Sequence, residues 1–261
     1  MGDASRIRIV TEPGLVYRQE SFESGHLLGI LAGLETRHDL MSKSDEADVQ
    51  TGEVEPLTGR LFARHRDRLF EMALQRQVDQ YLTYLSHLIA LLFRSRPETL
   101  HAGPPGRQAE TEAVSLDVIL QHATMEDLLN TVVERRVENL AYKGMGELAD
   151  YLGQRLGFDL FASDDQRHMA VLVVEVRNII THNRAVVNDT FVRRVKESPW
   201  AVGQRIELDF QTHSGFMAFL ESTAADIDRR AIEKWALPTI RIEIPETGPA
   251  HRVDAAERTE T

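Results

Sequence analysis

The chain has 261 residues, of which 42% are hydrophobic and 27% are charged, and this balance excludes a disordered or fibrous protein. The net charge of −11 argues against a protein that coats nucleic acid by bulk electrostatics, because such proteins are usually basic. An enzyme that meets RNA through a local basic patch is not excluded.

Cysteine usage and hydropathy indicate a compartment. The absence of cysteine excludes disulfides and thiolate metal sites and agrees with the cytoplasm. The first residues, MGDASRIRIV, lack the apolar segment of a signal peptide. The most apolar runs, LIALLF and AVLVV, are too short to cross a bilayer. We therefore expect a soluble, cytoplasmic protein that has no membrane partner.

Residues 1–57 predict a small N-terminal extension and an acidic linker. The segment RIRIVTEPGLVYRQESF alternates enough for one or two short strands around a turn at Pro13-Gly14. HLLGILAGLETRHDLM predicts a short helix that glycines interrupt. SKSDEADVQTGEVEP is acidic and poor in apolar residues, so it predicts a flexible linker.

A helical domain is predicted over residues 58–240. Its first element is a long amphipathic helix over residues 58–93, with an apolar stripe at three- and four-residue spacing: Leu74, Val78, Tyr81, Leu85, Leu88 and Leu92. The loop RPETLHAGPPGRQAE ends this helix. Ser115 and Thr124 are suited to cap the next two helices.

The segment SDDQRHMAVLVVEVRNIITHN predicts a central helix. Ser163 and Gln166 form a capping box at its start. The predicted core stripe comprises Met169, Leu172, Val173, Val176 and Ile180. Further apolar residues widen the apolar surface beyond the usual arc, namely Ala170, Val171 and Val174. The helix is therefore central, or it also lies at a subunit contact.

The remaining segments complete the bundle. DTFVRRVKES predicts a short helix, GQRIELDFQ an extended connector, and HSGFMAFLESTAADIDRRAIEKWA the last helix. Residues 241–261 are polar and interrupted by Pro and Gly, which predicts a loose tail. The predicted fold is an all-α helical bundle with a small N-terminal extension that could hold short strands.

The far end of the central helix carries Arg177, Asn178 and His182, just where its apolar pattern stops. At about 100° per residue, Asn178 and His182 share a face, whereas Arg177 and His182 diverge by roughly 140°. One regular helix would therefore not direct both at a single small ligand. They would converge if the helix end distorts, or if a second copy of the helix contributes the missing half.

These three residue types suit RNA cleavage by internal attack of the 2′-hydroxyl. A histidine transfers protons near neutral pH, and an arginine binds phosphate oxygens in a bidentate fork. An asparagine orients a hydroxyl or the imidazole. This chemistry requires no metal. The spacing alone also fits an ordinary polar helix terminus, and that alternative stays open.

The sequence RNIITH, residues 177–182, resembles the R-N-x-x-x-H signature of HEPN domains, which lies on a late helix of an all-helical bundle. The surrounding EVRNIITHNRAVVN is similar to bacterial HEPN families that are associated with RNA-targeting toxins and defence systems. The resemblance covers roughly residues 58–236, and the motif is its specific part.

The resemblance implies a homodimer in which Arg177, Asn178 and His182 of both chains form one composite active site. It also implies metal-independent endoribonuclease activity that leaves a 2′,3′-cyclic phosphate. RNA would be the substrate, no cofactor would be needed, and an antitoxin or a defence complex would be the further partner. Val171 and Val174 would contact the second subunit.

The resemblance has one departure and leaves one alternative. Where a nucleotidyltransferase antitoxin controls the ribonuclease, a tyrosine follows the histidine by two places, and Arg184 stands there in this chain. We therefore expect no regulation by tyrosine adenylylation. Some HEPN domains are inactive scaffolds, so the alternative function is a module that dimerises, binds nucleotides or regulates a defence complex.

Basic residues after the motif are candidates for RNA binding or for a solvated helix face: Arg184, Arg193, Arg194 and Lys196. Glu175 could orient Arg177 or face water. The scattered histidines lack metal-ligand spacing, so we predict no metal site.

Overall fold

The computed structural model describes residues 6–45, 57–101, 115–245 and 248–253. These parts are mainly helical, which confirms the predicted all-α class with a small N-terminal extension that carries a strand. The helices are α1 (Glu12–Asp45), α2 (Leu57–Ser95), α3 (Leu116–Leu120), α4 (Met125–Lys143), α5 (Met145–Leu156), α6 (Asp164–Asn183), α7 (Asp189–Arg194) and α8 (Phe210–Trp235), with a 3-10 helix at Pro97–His101. The strands are β1 (Arg6–Val10), β2 (Ile240–Ile244) and β3 (His251–Arg252). None of these helices is long and apolar enough to cross a membrane.

The long helix α2 lies at the centre of the bundle and packs against α1, α4, α6 and α8. It extends the predicted helix over residues 58–93 by only one or two residues at each end. Its predicted apolar stripe is confirmed, because each member is at most 5% exposed: Leu74, Val78, Tyr81, Leu85, Leu88 and Leu92. Burying one such leucine stabilises the fold by roughly 1.5–3 kcal/mol. The stripe therefore anchors the whole bundle.

The strand β1 confirms one of the one or two short strands predicted for the N-terminal segment. The residues after it form one long helix, α1, where a turn, a second strand and an interrupted short helix were the alternatives expected. The hydroxyl of Thr11 accepts a hydrogen bond from the N–H of Gly14 at 3.1 Å, which caps the first turn. Pro13 fits this turn because no helical hydrogen bond needs its missing N–H there. The predicted Pro13-Gly14 turn is therefore wrong, since these residues begin a helix.

Tertiary packing explains why the glycines do not interrupt α1. Each glycine costs a helix about 1 kcal/mol relative to alanine, but α1 packs lengthwise on α2. Tyr17, Leu28 and Leu31 belong to the same hydrophobic core as α2. The first residues of the predicted linker, 42–45, are the end of α1, and residues 46–56 lie outside the described residues.

The strands form one antiparallel sheet in the order β1-β2-β3. Arg6 lies opposite Ile244, and Val10 lies opposite Ile240, so the N-terminal strand pairs with a segment near the C-terminus. A small second core comprises Val10, Leu15, Ile242 and Ala250. The loose tail predicted over residues 241–261 is thus paired in its first part. Residues 254–261 lie outside the described residues.

Helix caps in the second half of the chain largely follow the prediction. The hydroxyl of Thr124 accepts from the N–H of Asp127 at 3.1 Å, and that of Ser163 accepts from the N–H of Gln166 at 3.2 Å. Both caps are confirmed. Ser115 precedes α3 as predicted, but its side chain makes no capping hydrogen bond.

The surplus apolar surface of α6 packs inside the protomer, where the helix contacts α2, α5 and α7. Ala170 is fully buried and Val174 is 4% exposed, whereas Met169, predicted for the core, is 38% exposed. Burial within one subunit therefore accounts for Val174. Val174 therefore exposes almost no surface that could contact a second subunit.

Candidate active site at the end of α6

The helix that carries the motif ends in a sharp reversal of the chain. Arg184 and Ala185 both adopt the left-handed backbone conformation, with φ of 54° and 61°. The chain then runs back in extended form, and the carbonyl of Ala185 accepts a hydrogen bond from the N–H of Ile206 at 2.7 Å. The N–H of Val187 donates to the carbonyl of Gln204 at 2.9 Å. This pairing with the predicted extended connector holds the end of α6 in place.

The guanidinium of Arg177 is held between α2 and its own helix. Its Nη2 forms an ion pair with Oδ1 of Asp79 at 2.5 Å, and its Nη1 donates to Oδ1 of Asn178 at 3.2 Å. The side chain is 24% exposed, so part of the cation remains open to solvent. The Nε atom is buried and has no hydrogen-bond partner among the described residues. The guanidinium therefore has a defined orientation.

A second contact joins the motif turn to α2. The hydroxyl of Thr181 donates to the carbonyl of Arg177 at 2.9 Å and accepts from Nε2 of Gln75 at 3.0 Å. Thr181 and Arg177 thus lie on the side of α6 that faces α2. This agrees with the predicted alignment of these two positions one helical turn apart.

Glu71 links α2 to the chain reversal. This carboxylate is buried, and its Oε1 accepts from Nη2 of Arg205 at 2.5 Å, while Oε2 lies 3.5 Å from Nη1 of Arg68. Arg205 also donates from Nη1 to the carbonyl of Arg184 at 3.1 Å. We call the polar stripe of α2 that faces the end of α6 the α2 polar face: Arg68, Glu71, Gln75 and Asp79.

His182 lies on another side of α6. The residue is exposed, and its imidazole makes no hydrogen bond or ion pair with any described residue. Asn178, one turn earlier, is partly exposed on the same side. The helix continues regularly to Asn183, so its end does not distort to bring His182 and Arg177 together. Within one protomer, the roughly 140° between them persists.

A cavity of about 460 Å³ lies further back along the side of α6 that bears Asn178 and His182. Val171 and Glu175 form part of its wall, together with the first turn of α5 and the chain after α7. At 1.5 Å rise per residue, Glu175 precedes His182 by about 10 Å along the helix. The cavity is therefore within reach of a chain molecule that also contacts the motif.

The structure separates the four basic residues proposed to bind RNA. Arg194 and Lys196 both line this cavity, whereas Arg184 and Arg193 do not. Arg193 instead donates to the hydroxyl of Thr190 at 3.1 Å, and Arg184 lies exposed at the chain reversal. Two of the four basic residues therefore share this cavity, and the other two lie outside it.

Glu175 takes neither of its two predicted roles. Its side chain is only 10% exposed, and its Oε1 accepts from Nη1 of Arg194 at 3.0 Å. Two positions along a helix correspond to about 200°, so Glu175 points away from Arg177. It neither orients Arg177 nor faces water.

Val171, the other residue expected at a dimer contact, is partly buried against the core and lines the same cavity. Unlike Val174, it keeps some exposed surface.

Sequence reasoning missed the residues that position the motif from outside it. Asp79, Gln75 and Glu71 recur at four-residue spacing on α2, which is a visible polar stripe on an amphipathic helix. That spacing does not reveal which helix faces it. No sequence pattern indicated that Arg205 would reach the site, since it lies in a short extended connector.

Charge clusters elsewhere do not indicate a metal centre. In the described ranges, no group of three or more His, Asp or Glu side chains is arranged to hold a metal ion.

Compared with models of protein families, with curated proteins and with solved structures, the chain matches none. The similarity of residues 177–182 to the HEPN signature therefore stays a prediction.

Proposed function

We propose that the protein is a metal-independent endoribonuclease of HEPN type that works in the cytoplasm as a toxin or defence effector. One observation carries this proposal: an exposed, unpaired imidazole, His182, follows a guanidinium, Arg177, whose orientation Asp79 and Asn178 define. A proton-transferring group and an anion-binding group are the two elements that metal-free RNA cleavage needs.

The proposed reaction is an internal transfer of the phosphate. His182 removes the proton of a ribose 2′-hydroxyl, and the 2′-oxygen forms a bond to the neighbouring phosphorus. The bond from phosphorus to the 5′-oxygen breaks, and an imidazole in its protonated form supplies the proton to that oxygen. The products are a 2′,3′-cyclic phosphate and a free 5′-hydroxyl. Arg177 stabilises the negative charge on the phosphate oxygens, and Asn178 orients the hydroxyl or the imidazole.

A homodimer resolves the geometry that one protomer leaves open. His182 and Arg177 point about 140° apart on a regular helix, so one ligand does not reach both from the same subunit. Two copies of α6 that meet at a two-fold axis would bring His182 of one subunit to Arg177 of the other. The shared cleft would hold two such His182–Arg177 pairs, one on each side of the axis, and the imidazole that takes up the 2′-hydroxyl proton would give a proton to the leaving 5′-oxygen.

The cavity beside Val171 and Glu175 supports a path for the RNA strand. It lies about 10 Å from His182 along the helix, which corresponds to about three nucleotides of a strand at ~3.4 Å each. Arg194 and Lys196 lie on its wall, where Glu175 pairs with Arg194 and Lys196 remains as a cation for a phosphate.

The alternative proposal is a non-catalytic module that dimerises, binds nucleotides or regulates a defence complex. The ion pair with Asp79 favours it, because a guanidinium already neutralised by a carboxylate binds phosphate less strongly. In this alternative, Arg177 and Asp79 hold α6 to α2 and take no part in chemistry.

Labelled RNA incubated with purified protein in EDTA distinguishes the two proposals. The ribonuclease is expected to cut the RNA and leave cyclic phosphate ends, and His182→Ala is expected to abolish cutting while the protein stays folded and dimeric. His87→Ala is the control, since that exposed histidine lies on α2 and does not line the cavity beside α6. Intact RNA with the wild-type protein, or equal cutting by His182→Ala, contradicts the catalytic proposal.

A further inference from the structure

A second cavity, of about 180 Å³, lies where the sheet meets the bundle. Its walls come from α1, α8, Tyr84 of α2, and Ile244, Gly248 and Ala250. No residue of α6 lines it, and it shares no residue with the other cavity. The proposed ribonuclease chemistry makes no use of it.

One part of this cavity is aromatic and apolar. Tyr17, Phe22 and Tyr84 contribute rings, and Ile244 contributes an aliphatic side chain. The rings of Tyr17 and Tyr84 are 5.2 Å apart and belong to the tightly packed centre of the protein. These walls suit a flat apolar body, because a further ring packs favourably against the exposed edge or face of an aromatic side chain.

The other part of the cavity carries an arginine. Arg18 lines the cavity and is partly buried, yet it makes no hydrogen bond or ion pair with another described residue. Burial and the nearby positive charge of Arg8 lower the pKa of Arg18 below its ordinary value, while the neighbouring carboxylates of Asp228 and Glu221 oppose this shift. The N–H groups of Arg18 therefore lack an acceptor among the described residues.

The two carboxylates in the lining are already engaged elsewhere. Glu221 accepts a hydrogen bond from the hydroxyl of Ser21. Asp228 accepts from the backbone N–H of Thr11 at 3.0 Å and from its hydroxyl, at the positive end of α1. Burial raises the pKa of Asp228, while the hydrogen bonds from Thr11 and the charge of Arg18 act in the opposite direction. Neither carboxylate accepts a hydrogen bond from Arg18, so its N–H groups are available as donors to a ligand.

We propose that this cavity binds a small organic acid, in which a carboxylate pairs with Arg18 and a flat apolar body packs against Tyr17, Phe22 and Tyr84. A guanidinium and a carboxylate form parallel hydrogen bonds in a fork geometry. The cavity volume lies below the roughly 300–1,000 Å³ that drug-sized ligands occupy, which favours an acid of the size of benzoate.

Isothermal titration calorimetry with benzoate tests this proposal, with benzamide as the neutral molecule of the same shape. Benzoate is expected to bind the wild-type protein at least tenfold more tightly than benzamide. Arg18→Met and Ala225→Leu are expected to weaken benzoate binding at least tenfold, the first by removing the cation and the second by filling the cavity from α8. Arg76→Met is the control, because that exposed arginine of α2 lies outside the lining.

Thermal unfolding of the same variants separates binding from folding. Arg18→Met is expected to melt no lower than the wild-type protein, because the guanidinium makes no hydrogen bond or ion pair with any described residue. The proposal is overturned if the wild-type protein shows no saturable binding at about 10 mM benzoate, or if Arg18→Met binds benzoate as tightly as the wild type. A large loss of stability in Arg18→Met also overturns it, since the guanidinium would then be a structural group. RNA cleavage plays no part in these measurements, so they stand or fall apart from the proposed ribonuclease.

Discussion

Asp79 on α2 and Arg177 on α6 form an ion pair with 2.5 Å between the carboxylate oxygen and Nη2. The same guanidinium donates to Asn178, so one residue of α2 defines the direction of two motif side chains. The hydrogen bond from Gln75 to Thr181 adds a second link between the same helices. The long early helix therefore serves as the platform on which the end of α6 is held.

Asp79→Asn tests whether this pair positions the guanidinium for catalysis. We expect RNA cleavage to fall about tenfold, mainly in kcat, because Arg177 loses its fixed direction while remaining charged. Asp79→Glu should restore part of the activity. Glu12→Gln is the control, since it removes an exposed ion pair, to Arg252 at 2.8 Å, that joins α1 to β3. Undiminished cleavage by Asp79→Asn would make the pair irrelevant to the reaction, and increased cleavage would make it inhibitory.

Val174→Asp tests the reassignment of this residue from a dimer contact to the core. Val174 is 4% exposed, so a buried carboxylate should lower the free energy of unfolding by at least about 3 kcal/mol. Val192→Asp on α7 is the control, because Val192 is 39% exposed and the change should cost about 0.5 kcal/mol or less. Urea denaturation measures both. A Val174→Asp variant of normal stability that only loses its dimer would return the residue to the interface.

Gly14→Ala tests the contact between the start of α1 and α8. A methyl group at this position would lie 2.8 to 2.9 Å from the carboxylate atoms of Asp228, so we expect a loss of about 1–3 kcal/mol in the free energy of unfolding.

Gly29→Ala is the matched change on the same helix, where a methyl group would meet no atom within 4 Å. It should stabilise the protein by up to about 1 kcal/mol, because alanine favours the helix. Equal effects of the two substitutions in chemical denaturation would contradict the close approach of Asp228 to Gly14.

The buried histidine His213 predicts how stability depends on pH. Burial lowers the pKa of His213 to about 4 from its ordinary value of 6.5, and its Nε2 donates to Oε1 of Gln77 at 2.7 Å when that nitrogen carries the proton. Between about pH 4 and 6.5 the unfolded chain binds more protons at this residue than the folded one. The free energy of unfolding should therefore fall as the pH drops through this window, by up to about 3 kcal/mol.

His213→Gln should flatten this dependence, because the substituted side chain does not titrate. His87→Gln, which replaces an exposed histidine of α2, should leave it unchanged. Denaturation at a series of pH values measures the slope for each protein. An identical slope in wild type and His213→Gln would mean that other groups cause the acid sensitivity.

Most helices were predictable because their signals are local. The apolar stripe of α2 and the capping residues Thr124 and Ser163 act within one element, so spacing and residue type suffice to predict them. α1 was mispredicted because its glycines weaken the local signal, and only packing against α2 compensates. The pairing of β1 with β2 joins segments far apart in sequence, which no short pattern reveals.

The candidate site was predictable only in part, because some of its residues meet only through packing between segments that are far apart in sequence. Residues Arg177, Asn178 and His182 stand in one short motif, and helical spacing already separates Arg177 from His182 by angle. Asp79, Glu71 and Arg205 reach the site only through the packing of α2 and the chain reversal. The burial of Val174 and the pairing of Glu175 with Arg194 likewise depend on neighbours that are remote in sequence.

Subunit complementation tests the shared active site most directly. Arg177→Ala and His182→Ala are each expected to be inactive as homodimers. After subunit exchange, the composite cleft of a mixed dimer keeps one pair with an intact Arg177 from one chain and an intact His182 from the other. Mixing the two inactive proteins is expected to restore RNA cleavage in EDTA to roughly a quarter of the wild-type rate, since about half of the dimers are mixed and each keeps one of its two Arg177–His182 pairs. A mixture that exchanges subunits yet stays as inactive as its parents would contradict it.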